Sequence, residues 1–301
     1  MAILFEIEHT TTYSYANPVT FRRHRAMFLP RPGARGRLVD WSARTSIPST
    51  IRWTTDALGN NVTEREFAPA ARELIFSLKV RGIHFGLDGV ENYALKRRAE
   101  AVPVQYTPDE WNDLLGHIRP HAEDPDGAVA AWATSFVADN RDGTTDVLQR
   151  MLDAFRDTFT CNAREAEGTQ SPAEALRTRS GTCRDYAWLM IETLRRLSFA
   201  ARFVSGYLYD DALDGGAVGT VGSGATHAWL AVYLPGVGWR PYDPTNRISA
   251  GYDLIPVAIA RHPGRAVPLE GSWFGTAEDY RGMSVNVAVH KLGEVTDPSE
   301  G

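Results

Sequence analysis

Between residues 4 and 85 the hydrophobic and polar positions fall into short runs rich in Thr, Tyr, Val, Ile and Phe, interrupted by turn residues. That pattern predicts strands. Segments 51–55 and 62–67 flank the run Asp56-Ala57-Leu58-Gly59-Asn60-Asn61, which is hairpin punctuation, and 74–80 partly alternates. Past about residue 88 the period changes. Leu114, Leu115 and Ile118, then Val129, Trp132, Phe136 and Val137, then Val147, Leu148, Met151, Leu152 and Phe155 recur at helical spacing, with Pro120 closing the first run.

Two helix starts follow in quick succession. Ser171-Pro172-Ala173-Glu174 supplies a cap, a proline at the first helical position and a carboxylate at the third. Thr182-Cys183-Arg184-Asp185 repeats the cap and carboxylate ahead of Tyr186, Met190, Leu194 and Leu197, which predicts an amphipathic helix opening at Cys183. Segment 201–209 reads as a strand. Residues 210–224 hold five glycines, a loop that serves either as a lid over a cleft or as a plain tether. Segments 227–234 and 239–242 form a hairpin around a four-residue turn at 235–238, and two later strands cover 254–260 and 284–290.

The length, 301 residues, suggests two units: an antiparallel β domain over 1–88, and a helical segment with a second core over 89–301. Composition is ordinary for a globular protein, with 43% hydrophobic and 23% charged residues. A net charge of −5 without basic blocks argues against nucleic acid as a partner. No basic n-region precedes an apolar run at the start, and no 18-residue stretch lacks charge, so the expectation is a soluble cytoplasmic protein with no membrane partner. Two cysteines, Cys161 and Cys183, are too few for a disulfide framework and agree with a reducing compartment.

The chemistry centres on Cys183. At the first turn of its helix, free N–H groups and the positive dipole end face the sulfur, the surroundings in which a cysteine becomes a strong nucleophile. His227 opens a strand after the glycine-rich loop. Asp243, at the end of the neighbouring strand, is placed to accept the second imidazole N–H. Taken singly, each has a structural reading: a small buried thiol, a strand histidine, a turn-forming Asp-Pro. Pairing Leu234 with Trp239 across the turn puts Asp243 opposite Leu230, about 10 Å along the strand from His227, so a bulge or a strand shift is required. His117 and His121 have i, i+4 spacing, but Pro120 intervenes and no third metal ligand is evident. Asp185 is read as a helix cap, with a role in the cleft as the lesser alternative, and Trp229 as core or cleft wall.

Together the segments Gly181-Thr182-Cys183-Arg184-Asp185-Tyr186-Ala187, Ala201 onward to Tyr207, Thr226-His227-Ala228-Trp229, Gly238-Trp239 and Asp243-Pro244-Thr245-Asn246 resemble the bacterial transglutaminase-like superfamily. The resemblance is strong over 144–246, and the N-terminal β region resembles the domain that commonly precedes this core. It implies an α+β fold: a papain-like core whose cysteine-bearing helix packs on an antiparallel sheet, preceded by an antiparallel β domain. It further implies a triad of Cys183 as nucleophile, His227 as general base then acid, and Asp243 as orienting carboxylate, with no cofactor and a peptide or protein substrate. Hydrolysis of an amide is the expected reaction, since water needs no dedicated acceptor site. The alternatives are a transglutaminase using an amine acceptor and a non-catalytic peptide-binding module. Three positions depart from the family pattern: Arg184 stands where glutamine is common, Trp188 where histidine is often found, and Cys161 where an aromatic residue is usual.

Overall fold

The computed structural model describes residues 2–33, 36–86, 94–138, 142–162, 168–209, 224–249 and 251–295. Its first strands are β1 (Ala2–Phe21), β2 (His24–Ala26), β3 (Gly36–Thr45), β4 (Ser49–Thr55), β5 (Asn61–Phe67) and β6 (Ala71–His84). Helices α1 (Pro108–Ile118), α2 (Ala128–Thr134) and α3 (Thr144–Thr158) follow. The two-residue strands β7 (Thr160–Cys161) and β8 (Ser180–Gly181) bracket α4 (Pro172–Thr178), and α5 (Cys183–Arg196) comes next. The remaining strands are β9 (Ala201–Leu208), β10 (His227–Leu234), β11 (Gly238–Tyr242), β12 (Leu254–Ala260), β13 (Leu269–Glu270), β14 (Trp273–Phe274) and β15 (Tyr280–Val295).

These strands build one sheet in the order β14-β1-β6-β3 with β15 also on β1, a second in the order β13-β2-β5-β4, and a third in the order β11-β10-β9-β12. β1 runs antiparallel to β6 on one side and to β15 on the other, so the last strand of the chain completes the sheet begun by the first. Odd positions of β1 face inward: Ile3, Phe5, Ile7, His9, Thr11 and Tyr15 are buried. Ile3, Phe5 and Ile7 share a single apolar cluster with Leu148, Met151 and Phe155 of α3, Leu189 and Leu194 of α5 and Phe203 of β9. The arrangement is α+β, with antiparallel sheets and helices packed against them.

α5 sets the position of the site. Tyr186, Ala187, Trp188, Leu189, Met190 and Ile191 are all buried, so the helix is enclosed nearly all round, packed on β9 and β10 and against α2 and α4. Truncating Leu189 to alanine would cost about 2–5 kcal/mol by the usual cavity penalty. At its far end the buried Glu192 carboxylate accepts the N–H groups of His121 and Ala122 and pairs with Arg195 and Arg196 at 2.9 Å. Arg195 also donates to the carbonyls of His117, Ala201 and Arg261, which ties the helix to α1, β9 and the segment after β12. Such a network tolerates the loss of neither partner, because the remaining charge would be left buried and alone.

Candidate active site

Cys183 is the first residue of α5, as the capping signature predicts. The buried Asp185 carboxylate holds that end together: it accepts the Thr182 N–H at 2.8 Å, the Thr182 hydroxyl at 2.9 Å and the Gln170 N–H at 2.6 Å. Asp185 is therefore a cap that also anchors the strand-side approach to α4. Gly181 has no substitute here, since a Cβ would lie 2.9 Å from the Asp185 Cβ. Arg184 donates to the carbonyls of Pro263 at 2.8 Å and Ala266 at 3.4 Å, with its guanidinium 4.9 Å from the Phe203 ring centre. The first departure from the family pattern thus fastens the first turn of α5 to the segment following β12. Trp188, the second departure, is buried edge-on against His121 and His262.

The hairpin that carries the other two residues has a register different from the expected one. Leu234 pairs with Gly238 and Leu230 with Tyr242, without a bulge. The turn is three residues long, and Gly238, at φ 82°, enters the strand in a conformation that favours glycine. Continuing that register places Asp243 two residues from His227 along the strand and on the same face, so neither a bulge nor a 10 Å span is needed. His227 Nε2–H donates to Asp243 Oδ2 at 2.7 Å, and both side chains are fully buried. The space behind the histidine also depends on glycine. Gly206 is its cross-strand partner, and a Cβ there would come within 2.2 Å of the Ile255 carbonyl oxygen and 2.6 Å of the Trp229 ring.

Asp243 is held by more than the histidine. Its Oδ1 accepts the Thr245 N–H at 2.9 Å and its Oδ2 the Asn246 side-chain amide at 2.9 Å, while its own N–H donates to Ile248 O. Asn246 is the residue whose part was not read from the sequence, although it closes the Asp-Pro-Thr-Asn motif; an asparagine three residues after an orienting aspartate is the signal. Burial would raise the Asp243 carboxyl, but the imidazolium beside it and these hydrogen bonds win and hold it below the ordinary carboxylate range. For His227, burial works to lower the pKa; Asp243 and then Cys183 oppose it and push the imidazole up to about 10. Nε2 is committed to Asp243, which leaves Nδ1, buried and without a hydrogen-bond partner among the described residues, as the ring nitrogen available to the Cys183 sulfur.

The structure thus brings Cys183, His227 and Asp243 together. It keeps Cys161 close by but different in kind: β7 pairs with β8 so that Cys161 lies beside Gly181, and burial, with negative charge at Cys183, Asp243 and Asp185, pushes its thiol up to about 11. Both cysteines are free thiols. His117 and His121 do not converge, the first packing on Trp239 and the second on Trp188 and His262. Among the described residues no cluster of three metal-ligating side chains occurs. Trp229 is buried, stacked 6.1 Å from His227 and packed with Val204 and Ile259, a core residue that is not among those lining the cleft beside Arg184 and Thr226. The glycine-rich segment 210–223, for which a lid was expected, lies outside the described residues.

A cysteine on a helix end, with a histidine and an aspartate on adjoining strands, is a set of side chains that can support thiol chemistry. Residues 130–244 match the transglutaminase-like superfamily, and residues 5–81 match the bacterial transglutaminase-like N-terminal region. The chain thus carries a transglutaminase-like core preceded by a bacterial transglutaminase-like N-terminal region. It is 28% identical to an uncharacterized protein of Mycobacterium leprae over 89% of this chain and 92% of that one, and 27% identical to one of Mycobacterium tuberculosis over 91% and 89%. A solved structure described as "a Putative Cysteine Protease from Cytophaga hutchinsonii" shares the fold, with a TM-score of 0.71 over 99% of this chain and 93% of that chain at 19% identity.

Proposed function

We propose that the protein is a cysteine-dependent amidase or peptidase working through Cys183, His227 and Asp243. The observation that carries this reading is the His227 imidazole, bonded through Nε2 to a buried Asp243 at 2.7 Å, with its buried Nδ1 left unbonded and Cys183 near enough to help raise its pKa. Asp243 keeps the imidazole protonated and oriented, so the sulfur meets a cation and reacts as the thiolate. The thiolate attacks the amide carbonyl carbon, and the oxyanion that forms lies against first-turn N–H groups of α5 that have no carbonyl partner within the helix. His227 gives its proton to the leaving nitrogen, the C–N bond breaks, and a thioester remains on Cys183. The neutral imidazole then takes a proton from water, whose oxygen attacks the thioester and expels the thiolate. Asn246 and the Thr245 N–H hold the carboxylate still through both halves.

The test is to incubate the protein with a peptide library, quench with acid and read the mass attached to Cys183. An acyl adduct on Cys183 that is absent from Cys183→Ala is the expected result. No adduct on any substrate, with a thiol no more reactive than Cys161, would make the chain a binding module instead. Repeating the release step with added glycine amide distinguishes hydrolysis, which leaves the yield of free acid unchanged, from amine transfer, which diverts it.

A further inference from the structure

His9, Thr11, Tyr13 and Tyr15 lie on one face of β1 and all four line a cleft of about 1450 Å³. The neighbouring β15 extends the same wall row by row, with Val285 beside Thr11, Met283 beside Tyr13 and Tyr280 beside Tyr15. Trp273 closes it, its ring 5.0 Å from Tyr15 in an edge-to-face contact, with Tyr280 at 6.0 Å from the same ring. The opposite wall comes from the catalytic core: Ser171, Pro172 and Trp188, and then Arg184 and Thr226, the immediate chain neighbours of Cys183 and His227. The cleft therefore passes the chain neighbours of Cys183 and His227, which do not themselves line it, and crosses an aromatic face of the N-terminal sheet. A buried hydrogen bond braces the two walls, His9 Nδ1 to the Tyr207 hydroxyl at 2.9 Å, with that hydroxyl also donating to the Phe28 carbonyl. Tyr207 follows Gly206, the strand partner of His227, so β1 is tied directly to the strand beside the base.

We propose that this cleft is the substrate groove, that the substrate is an extended polypeptide, and that the ring-lined wall of Tyr13, Tyr15, Trp273 and Tyr280 selects aromatic side chains on it. The assignment rests on Cys183 being the nucleophile. The volume exceeds the roughly 300–1,000 Å³ of small-molecule sites and suits a polymer segment. Polarity narrows the polymer. Glu123 and Glu270 contribute carboxylates to the lining, while its guanidinium, that of Arg184, is committed to two backbone carbonyls, a poor reception for an anionic chain. Tyrosine and tryptophan edges, by contrast, favour aromatic partners in the offset or edge-on geometry they already adopt with each other. The N-terminal sheet is then part of the enzyme's specificity and not only a packing partner.

Three alkylating probes test this: iodoacetamide, which needs no groove, and the chloromethyl ketones of acetyl-Phe-Phe-Gly and acetyl-Ala-Ala-Gly. In each the thiolate displaces halide from carbon, and the rate of Cys183 modification is read by mass. The wild-type protein should react with the phenylalanine ketone about tenfold faster than with the alanine ketone, the scale expected for one or two aromatic contacts. In the double variant Tyr13→Ser, Tyr280→Ser that ratio should fall towards one, with the iodoacetamide rate unchanged. Tyr280→Ser alone, at a 44% exposed position, should lower it partway and guards against misfolding of the double variant. Equal rates for the two ketones in the wild-type protein, or a ratio that survives both variants, overturns the groove. Iodoacetamide labelling Cys161 as fast as Cys183 overturns the nucleophile itself, and the groove with it.

Discussion

Two histidines, one in each half of the molecule, are almost equally buried and end in opposite states. His9 on the N-terminal sheet and His227 on the catalytic sheet are each 1% exposed. Burial pushes His9 down to about 4, so it is neutral, accepting or donating within a hydroxyl network of Tyr207 and Thr11. His227 pays the same desolvation but faces Asp243 and Cys183, and rises to about 10. Depth in the protein therefore does not decide protonation; the charge of the group across the hydrogen bond does. In the proposed scheme the neutral histidine braces the groove and the charged one moves the proton.

Removing the carboxylate is the most severe way to erase the difference. Asp243→Asn leaves burial unopposed except by Cys183, so the His227 pKa should fall towards that of His9, read by titrating ring-labelled histidine in NMR spectra. Turnover should drop by up to about 10⁴-fold, the scale of loss when an orienting aspartate becomes an amide. An unchanged titration would show that Asp243 is not what holds the proton.

The contrast between the thiols is sharpened by brief alkylation at neutral pH. With the Cys161 thiol pushed up to about 11, Cys183 should label faster by at least about 10²-fold, mapped by mass on the folded protein. In Asp243→Asn that advantage should shrink.

Acid separates the two histidines thermodynamically. His9 has its folded pKa lowered below the unfolded value near 6.5, so its contribution is intact above pH 6.5 and is lost as the pH falls towards 4, because the unfolded chain takes the proton first. The 2.5-unit gap corresponds to about 3 kcal/mol, and His117, also pushed down to about 4, acts in the same direction. His227 has the opposite sign: its raised pKa stabilises the fold below about 6.5, and that contribution fades as the pH rises towards 10. Urea unfolding midpoints at pH 7, 5.5 and 4.5 should fall steadily, and His9→Gln should flatten the decline.

The smallest expected effect is at the brace. Tyr207→Phe removes the hydroxyl shared by His9 and the Phe28 carbonyl and leaves the buried His9 Nδ1 without this partner, for a loss of about 1–3 kcal/mol. Iodoacetamide labelling of Cys183 should stay the same while modification by the phenylalanine ketone slows. Equal slowing of both probes would mean that the brace supports the nucleophile and not the groove.

What could be read from the chain alone was local. The Thr-Cys-Arg-Asp start of α5, the Ser-Pro-Ala-Glu start of α4 and the strand periods around 51–80 are set by contacts within a few residues, and they appear as expected. The order of Cys183, His227 and Asp243 was legible for the same reason, each sitting at the end of a recognisable element. Tertiary structure decided the rest. The one-residue difference in the β10–β11 register, which turns Asp243 onto the face of His227, comes from a glycine turn whose φ no spacing rule reveals. The pairing of β15 with β1, which assembles the aromatic wall, joins residues about 270 apart. The different protonation states of His9 and His227 depend on which polar group each meets after folding. Local propensity is written in neighbouring residues, whereas register, long-range pairing and buried electrostatics are properties of the assembled chain.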